Sequence, residues 1–467
     1  MAKIKVYSLP ESEEFTQIPP LVKTLVAVEV PANHPLLVLR KNLNWLMIQN
    51  IILKYLRKAG RNIDGKKPGR RMDMALWVPL LVLMIIKNLN SREMAQQLSE
   101  NVVFRIFVGW QNYTGSLIRD HANIAKTMTA LGEEGVKELN DCVLVTALQQ
   151  GYTELSELSA DTTCQEVKIG YPNEPGILRG LAQRAQRCLT TLCKEGKKKL
   201  TSAFNHCASI IKKCKGHHLF AKTQEKKQSI CKQMVKTTVA LIQEVKKIIP
   251  RIKEDANKVA LNAGQQLNKL VDVGARLIPQ IEHWLDTGSV AAGKILHAGL
   301  DTARAIPRGK LGKKVEFGYR WLICRLKKGY IFGQLLITSL SEFDMPEIAL
   351  NQYQDIFGAE QKPELFVYDR GASSQKNRTM LKSKEIKDGI QPKGKSRYRV
   401  HGQDRKAVMS ARGMTEGVIG TMKSEKNKFN KTSARSETSV RLAGQRSICS
   451  MNMNKLMRDT NSKKQAA

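Results

Sequence analysis

Apolar and polar residues change period several times along this chain, and each change predicts a new kind of element. From Leu36 to Lys58 the apolar positions Leu39, Leu43, Leu46, Met47, Ile51, Leu53 and Leu56 recur at helical spacing, predicting one amphipathic helix. The run from Ala75 to Ile86 is apolar throughout with a proline inside it, and reads as a core helix. Asn90 and Ser91 then supply a turn and an N-cap before helical stretches over Arg92–Leu98 and Phe104–Phe107. A further helix follows Asp120 to Leu148, broken near Gly132. Residues 36–150 are thus expected to form a compact helical unit of the kind that can dock on DNA, preceded by an irregular, proline-bearing leader over 1–35. The basic stretch Lys54–Arg71 inside that unit reads either as a solvated loop or as a phosphate contact.

At Leu155–Thr163 the pattern switches to alternation, which predicts a strand holding Asp161. Helical periodicity returns from Pro175 to about Ala305, with an apolar stripe from Ile230 to Ile252 and lysines between its members. Val315–Leu326 and Ile331–Ile337 read as the two strands of a hairpin, and a helix is expected over Pro346–Phe357. Next comes the short apolar run Leu365–Tyr368, a buried strand whose C-terminal end presents Asp369. A helix from about Arg399 carries Glu416, with Arg412 four residues before it and Lys423 seven after, so that all three share a face. Gly413, Gly417 and Gly420 weaken that helix, and the tail over 459–467 is polar enough to be disordered.

With the long helical stretch set aside, the order is strand, strand, strand, helix, strand, helix. This is the order of the RNase H-like fold, in which the first and fourth strands are neighbours. The expected fold class is therefore mixed α+β: a helical N-terminal domain and an RNase H-like mixed β-sheet core, interrupted by a long helical insertion. The expected bounds are 151–176 and 311–458 for the two parts of the core and 177–310 for the insertion.

Charge narrows the partner. The chain has 77 Lys+Arg against 42 Asp+Glu, a net charge of +35, which favours a polyanion, nucleic acid first. From Arg370 to the C-terminus the net charge is +17. Nine cysteines show neither a CxxC pair nor a zinc spacing with histidine, which suits reduced thiols in the cytoplasm. Met1–Phe15 lacks the apolar region of a signal peptide, and the 12-residue run Ala75–Ile86 is too short to span a bilayer, so no membrane role is expected.

Carboxylates that converge without neutralising partners repel one another unless cations fill the site. Mg²⁺, with Mn²⁺ as a substitute, suits oxygen ligands and keeps coordination positions for water and phosphate. A pair of such ions serves phosphoryl transfer on nucleic acid. Each member of the trio also has an ordinary reading: Asp161 as a strand-end residue, Asp369 as a turn aspartate before Gly371, Glu416 as part of a solvated ion-pair helix. Glu316, in strand-like sequence, is a rival carboxylate.

Three stretches together resemble the DDE transposases of bacterial insertion sequences: Asp161-Thr-Thr with Tyr171-Pro-Asn-Glu, Tyr368-Asp-Arg-Gly, and Arg412…Glu416-Gly-Val-Ile-Gly…Lys423. The helical stretch Leu89–Gln111 is similar to the N-terminal domain of that family. The resemblance implies a metal-binding catalytic triad of Asp161, Asp369 and Glu416. Lys423 would contact DNA near the cleavage point, with Arg412 and Arg370 as further DNA-binding residues. It also implies double-stranded DNA as partner, both element ends and target, a homodimer or higher oligomer on that DNA, and a place at the nucleoid. Two alternatives stand beside it: a non-catalytic remnant that only binds DNA ends, and a metal-dependent nuclease that never joins.

Overall fold

The computed structural model describes residues 30–31, 33–66, 71–109, 120–195, 200–252, 257–310, 313–336, 340–392, 403–431, 434 and 436–466. Most of the expected leader, and part of the basic stretch before Arg71, lie outside these. Among the described residues the protein is mixed α+β, with fourteen α-helices and six strands. The chain divides into two compact units, one built from residues 1–165, 320–432 and 438–467, the other from 166–319 and 433–437.

The first unit begins with helices α1 (Pro35–Asn42), α2 (Trp45–Lys58), α3 (Met74–Ile86), α4 (Ser91–Glu100), α5 (Val102–Val108) and α6 (His121–Gln149). The single helix expected over Leu36–Lys58 is two, because Leu43 is extended and the Asn44 side chain accepts from Met47 N to start a new helix. Helix α3 is apolar on all sides and is buried from Trp77 to Ile86, as a helix of that composition must be. In α6 Gly132 takes a φ of 72°, so the expected break is a kink inside one element.

The sheet of this unit contains β1 (Glu157–Glu166), β3 (Lys313–Leu326), β4 (Ile331–Leu335), β5 (Leu365–Tyr368) and β6 (Lys387–Ile390), while β2 (Arg304–Lys310) belongs to the second unit. Strand order runs β3-β1-β5-β6, and β4 pairs antiparallel with β3. Both β5 with β1 and β6 with β5 are parallel. Helix α11 (Met345–Phe357) precedes β5, and α12 (Gln375–Ser383) crosses from β5 to β6. Sequence periodicity does not predict β6: it is four residues long and contains Asp388 and Gly389, both poor strand formers. Gly389 is required there, since a Cβ would fall 2.6 Å from the Phe366 carbonyl oxygen of the neighbouring strand.

Helices α13 (Gln403–Lys423) and α14 (Glu437–Ala466) end the chain. The last helix continues through Asp459 to Ala466, where a disordered tail was expected. Its polar residues are bonded, Ser450 and Asn452 also buried: Ser450 and Asn454 donate to the Ile86 carbonyl at the end of α3, and Asn452 exchanges bonds with Ile331 of β4 and donates to Asn140 of α6. Asp459 accepts from the Tyr330 hydroxyl at 2.8 Å. Such bonds satisfy backbone groups at helix and strand ends, which a hydropathy pattern does not register. They also join the N-terminal helices to the sheet within one unit, where the sequence suggested separate domains.

The second unit is built on α7 (Glu174–Lys194), α8 (Thr201–Phe220), α9 (Gln224–Ile248) and α10 (Lys258–Thr287). Their shared core includes Leu181, Leu189, Cys207, Ile210, Cys231, Met234, Leu267 and Leu277. Gly274 lets α10 approach α9, where a Cβ would lie 2.4 Å from Ile242 Cδ1. Helix ends at Thr287 with Gly288 in the left-handed region, short of the expected Ala305, and β2 follows, antiparallel to the first part of β3.

Candidate active site

Strand β1 carries Leu158, Ser159 and Ala160 buried, with Asp161 half-buried after them. The parallel ladder to β5 pairs Glu157 with Leu365, Leu158 with Phe366 and Ser159 with Val367. That offset, carried two residues on, sets Asp161 level with Asp369. Asp369 has extended backbone and caps the 3-10 turn Arg370–Ala372, its Oδ1 accepting from Gly371 N at 2.7 Å. Asp161 Oδ1 accepts from Thr162 N at 2.7 Å. Two carboxylates therefore stand on neighbouring strands, Asp161 in the middle of β1 and Asp369 just past the end of β5, each with one oxygen held by a backbone N–H.

Tyr368, buried just before Asp369, donates its hydroxyl to Glu342 Oε2 at 2.6 Å. Burial, the charge and hydrogen bond of Glu342, and the charges of Asp161 and Asp369 push the Tyr368 phenol far above its ordinary range. It stays neutral and remains a donor. Glu342 Oε1 accepts from Thr162 Oγ1 at 3.0 Å and is ion-paired with Arg320. Sequence reasoning missed Glu342. It opens a short 3-10 turn whose Ser341–Asp344 capping box starts the helical stretch before α11, and that Ser-x-x-Asp spacing is the signal that marks the spot.

Helix α13 is continuous through Gly413, Gly417 and Gly420, whose surroundings are open, so the weakness expected there does not break it. Its buried stripe is Val408, Ala411, Thr415, Ile419 and Met422. Thr415 Oγ1 donates to Ser159 Oγ at 2.7 Å, which fastens the helix to β1 two residues before Asp161. Arg412, Glu416 and Lys423 each follow a member of that stripe by one residue, and so share one flank of the helix. Glu416 keeps 57% of its side chain exposed and accepts from Arg412 Nε at 3.1 Å. Arg412 also donates to Gln391 Oε1, and Gln391 N donates to the Tyr368 carbonyl at 3.3 Å. Lys423 is half-buried at the end of α13, and Arg370 is exposed beside Asp369.

The structure thus sets Asp161 and Asp369 on neighbouring strands, both close enough for their charges to act on Tyr368, and anchors the Glu416 helix to β1, with the Glu416 carboxylate turned to Arg412. Among the described residues no group of three or more His, Cys, Asp or Glu stands close enough to hold a metal ion. Glu316 is buried in the other compact unit, in register with Ile306 of β2.

Residues 26–129 match the family model of a transposase domain (DUF772). The matched stretch takes in α1–α5 and the start of α6, and none of Asp161, Asp369, Glu342 or Glu416 lies in it. It supports a transposase reading for the chain. Neither the curated proteins nor the solved structures gave a match. No single helix among the described residues is long and apolar enough to cross a membrane.

Proposed function

We propose that this chain is a transposase that cuts at the ends of a mobile element and joins them to target DNA, with Asp161 and Asp369 as its metal-holding carboxylates on an RNase H-like core. The observation that carries the reading is the parallel β1–β5 register, which pairs Ser159 with Val367 and, continued two residues, aligns Asp161 in the middle of β1 with Asp369 just past the end of β5. Supporting it are the order β3-β1-β5-β6 with β4 on β3, the transposase-domain match upstream, and the net charge of +35.

The donor set suits Mg²⁺, which takes one or two protein carboxylates and completes its shell with water and phosphate. Asp161 and Asp369 would hold it. There the ion supplies a Lewis acid for the oxygens of a phosphodiester. What the chain itself does is separate. The backbone N–H groups of Thr162 and Gly371 fix one oxygen of each aspartate and so aim the other. Glu416, on a helix anchored through Thr415, joins the pair once its carboxylate leaves Arg412. That exchange frees the Arg412 guanidinium for a DNA phosphate, alongside Lys423 and Arg370. Double-stranded DNA is the proposed partner, with a homodimer or higher oligomer assembled on it.

A specific observation favours a second reading, a remnant that binds DNA ends without cutting: Glu416 is engaged by Arg412 and stands apart from any three-residue metal group. Incubation with Mg²⁺ or Mn²⁺ and DNA carrying the element ends separates the two. The transposase reading expects strand cleavage and joining of pre-cut 3′ ends, abolished in Asp369→Ala with DNA binding retained. Binding without cleavage by the wild type in either ion overturns it, and cleavage without joining makes the protein a nuclease.

A further inference from the structure

We propose that Glu342 is a positioning residue for the aspartate pair, an inference that rests on the metal-holding role given to Asp161 and Asp369. One Glu342 oxygen accepts from Thr162 Oγ1 at 3.0 Å and the other from the Tyr368 hydroxyl at 2.6 Å. Thr162 is the chain neighbour of Asp161, and Tyr368 of Asp369. A single carboxylate therefore spans β1 and β5 at the level where the backbone ladder has ended, and holds the residue next to each aspartate.

Glu342 is itself held. Arg320 of β3 forms an ion pair with it and donates to the Leu340 carbonyl at 2.8 Å, gripping the segment on both sides of Ser341. Both Glu342 oxygens are engaged by these donors, so the residue braces the site instead of adding a ligand to it. Gly371 keeps the space between clear: a Cβ there would lie 2.8 Å from Asp369 Oδ1 and 3.4 Å from Glu342 Cβ. The brace has a physical task. Two carboxylates side by side repel, and the β1 and β5 segments that carry them drift apart past the end of their ladder unless something else ties them. The Arg320 cation also offsets the third negative charge that the brace introduces.

The test uses the full chain without DNA. Mn²⁺ is titrated in and its free-ion paramagnetic resonance signal followed, while thermal midpoints are recorded for the same samples. Asp369→Asn is expected to abolish saturable binding. Glu342→Gln and the milder Tyr368→Phe, which deletes one bond of the brace, are expected to weaken Mn²⁺ about tenfold. On end-containing DNA both variants should lower kcat about tenfold with KM unchanged, and Glu342→Asp should not rescue, because its reach is one methylene shorter. Wild-type Mn²⁺ affinity and kcat in a folded Glu342→Gln or Tyr368→Phe chain overturn the proposal, even where the thermal midpoint falls. Saturable Mn²⁺ binding missing from the wild type overturns the metal role of the aspartates, and the brace with it.

Discussion

Asp161 and Asp369 differ from Glu416 in what decides where their carboxylates are. The aspartates sit on two strands whose relative position is set by a parallel hydrogen-bonded ladder, Asp161 within β1 and Asp369 just past β5, and each has an oxygen pinned by a backbone N–H. Glu416 sits on a helix that is anchored one residue away, through Thr415, and its own side chain is exposed and paired with a neighbour on the same helix. Backbone geometry fixes the first two; a choice among rotamers fixes the third. Under the proposed reading, such a site would have two members held by the backbone and a third that joins by a side-chain turn.

The sharpest test of that contrast is the aspartate pair. Asp161→Asn or Asp369→Asn should each lower the cleavage rate by about a thousandfold, roughly 4 kcal/mol of transition-state stabilisation. Loss of DNA affinity in parallel, measured by titration, would show that these residues bind DNA and do not serve the chemistry. Next in size is the ladder that holds them. Glu157 opens β1 and pairs at 2.8 Å with Arg325 of β3, whose side chain is only 2% exposed. Glu157→Gln leaves a buried guanidinium without its counter-charge and should cost about 3 kcal/mol of stability, read by denaturant unfolding. The cleavage rate of the folded fraction should hold, because Arg325 keeps its bond to the Lys327 carbonyl and β1 keeps its pairing to β5.

Thr415→Val probes the helix anchor. It removes the bond to Ser159 Oγ and should cost about 1 kcal/mol in unfolding measurements. Since that bond seats the Glu416 helix on the Asp161 strand, the cleavage rate should fall further than the loss of stability accounts for. An unchanged rate would mean that Glu416 acts, if at all, without this seat.

How much of this was legible in the sequence follows the same division. The positions of Asp161 and Asp369 were legible because Leu155–Thr163 reads as an alternating strand holding Asp161 and Leu365–Tyr368 as a buried strand ending in Asp369, and the order of the elements implies that the two strands are neighbours; that they hold a metal is the proposal. Glu416 was legible through its cations, but its conformation was not, since spacing gives a shared face and no rotamer. Glu342 was not legible because it lies in a three-residue turn without periodicity, and its partners are 180 and 26 residues away. Strand β6 escaped because four residues with an Asp and a Gly carry no alternation, and its place depends on Gly389 fitting beneath Phe366. The last turns of α14 escaped for the opposite reason: Asn452, Asn454 and Asp459 look solvated, but each bonds to chain more than a hundred residues upstream. Long-range polar pairing is invisible to a local pattern.

The smallest effect discriminates most finely. Arg412 and Glu416 form an i,i+4 pair with the glutamate largely exposed, and Arg412→Met should change stability by only about 0.3–0.5 kcal/mol. Its effect on chemistry depends on which region of the site is permanent. If Arg412 only decorates the helix surface, the variant cleaves like the wild type at every salt concentration. If Arg412 holds Glu416 in reserve and takes a DNA phosphate when the glutamate leaves, two changes appear together in titrations of the variant. Mn²⁺ affinity without DNA rises, because Glu416 is free to join the aspartates, and DNA affinity falls with a shallower dependence on salt, by about one phosphate contact. The two shifts have opposite signs and come from one substitution, so a general loosening of the helix, which would weaken both, does not imitate them.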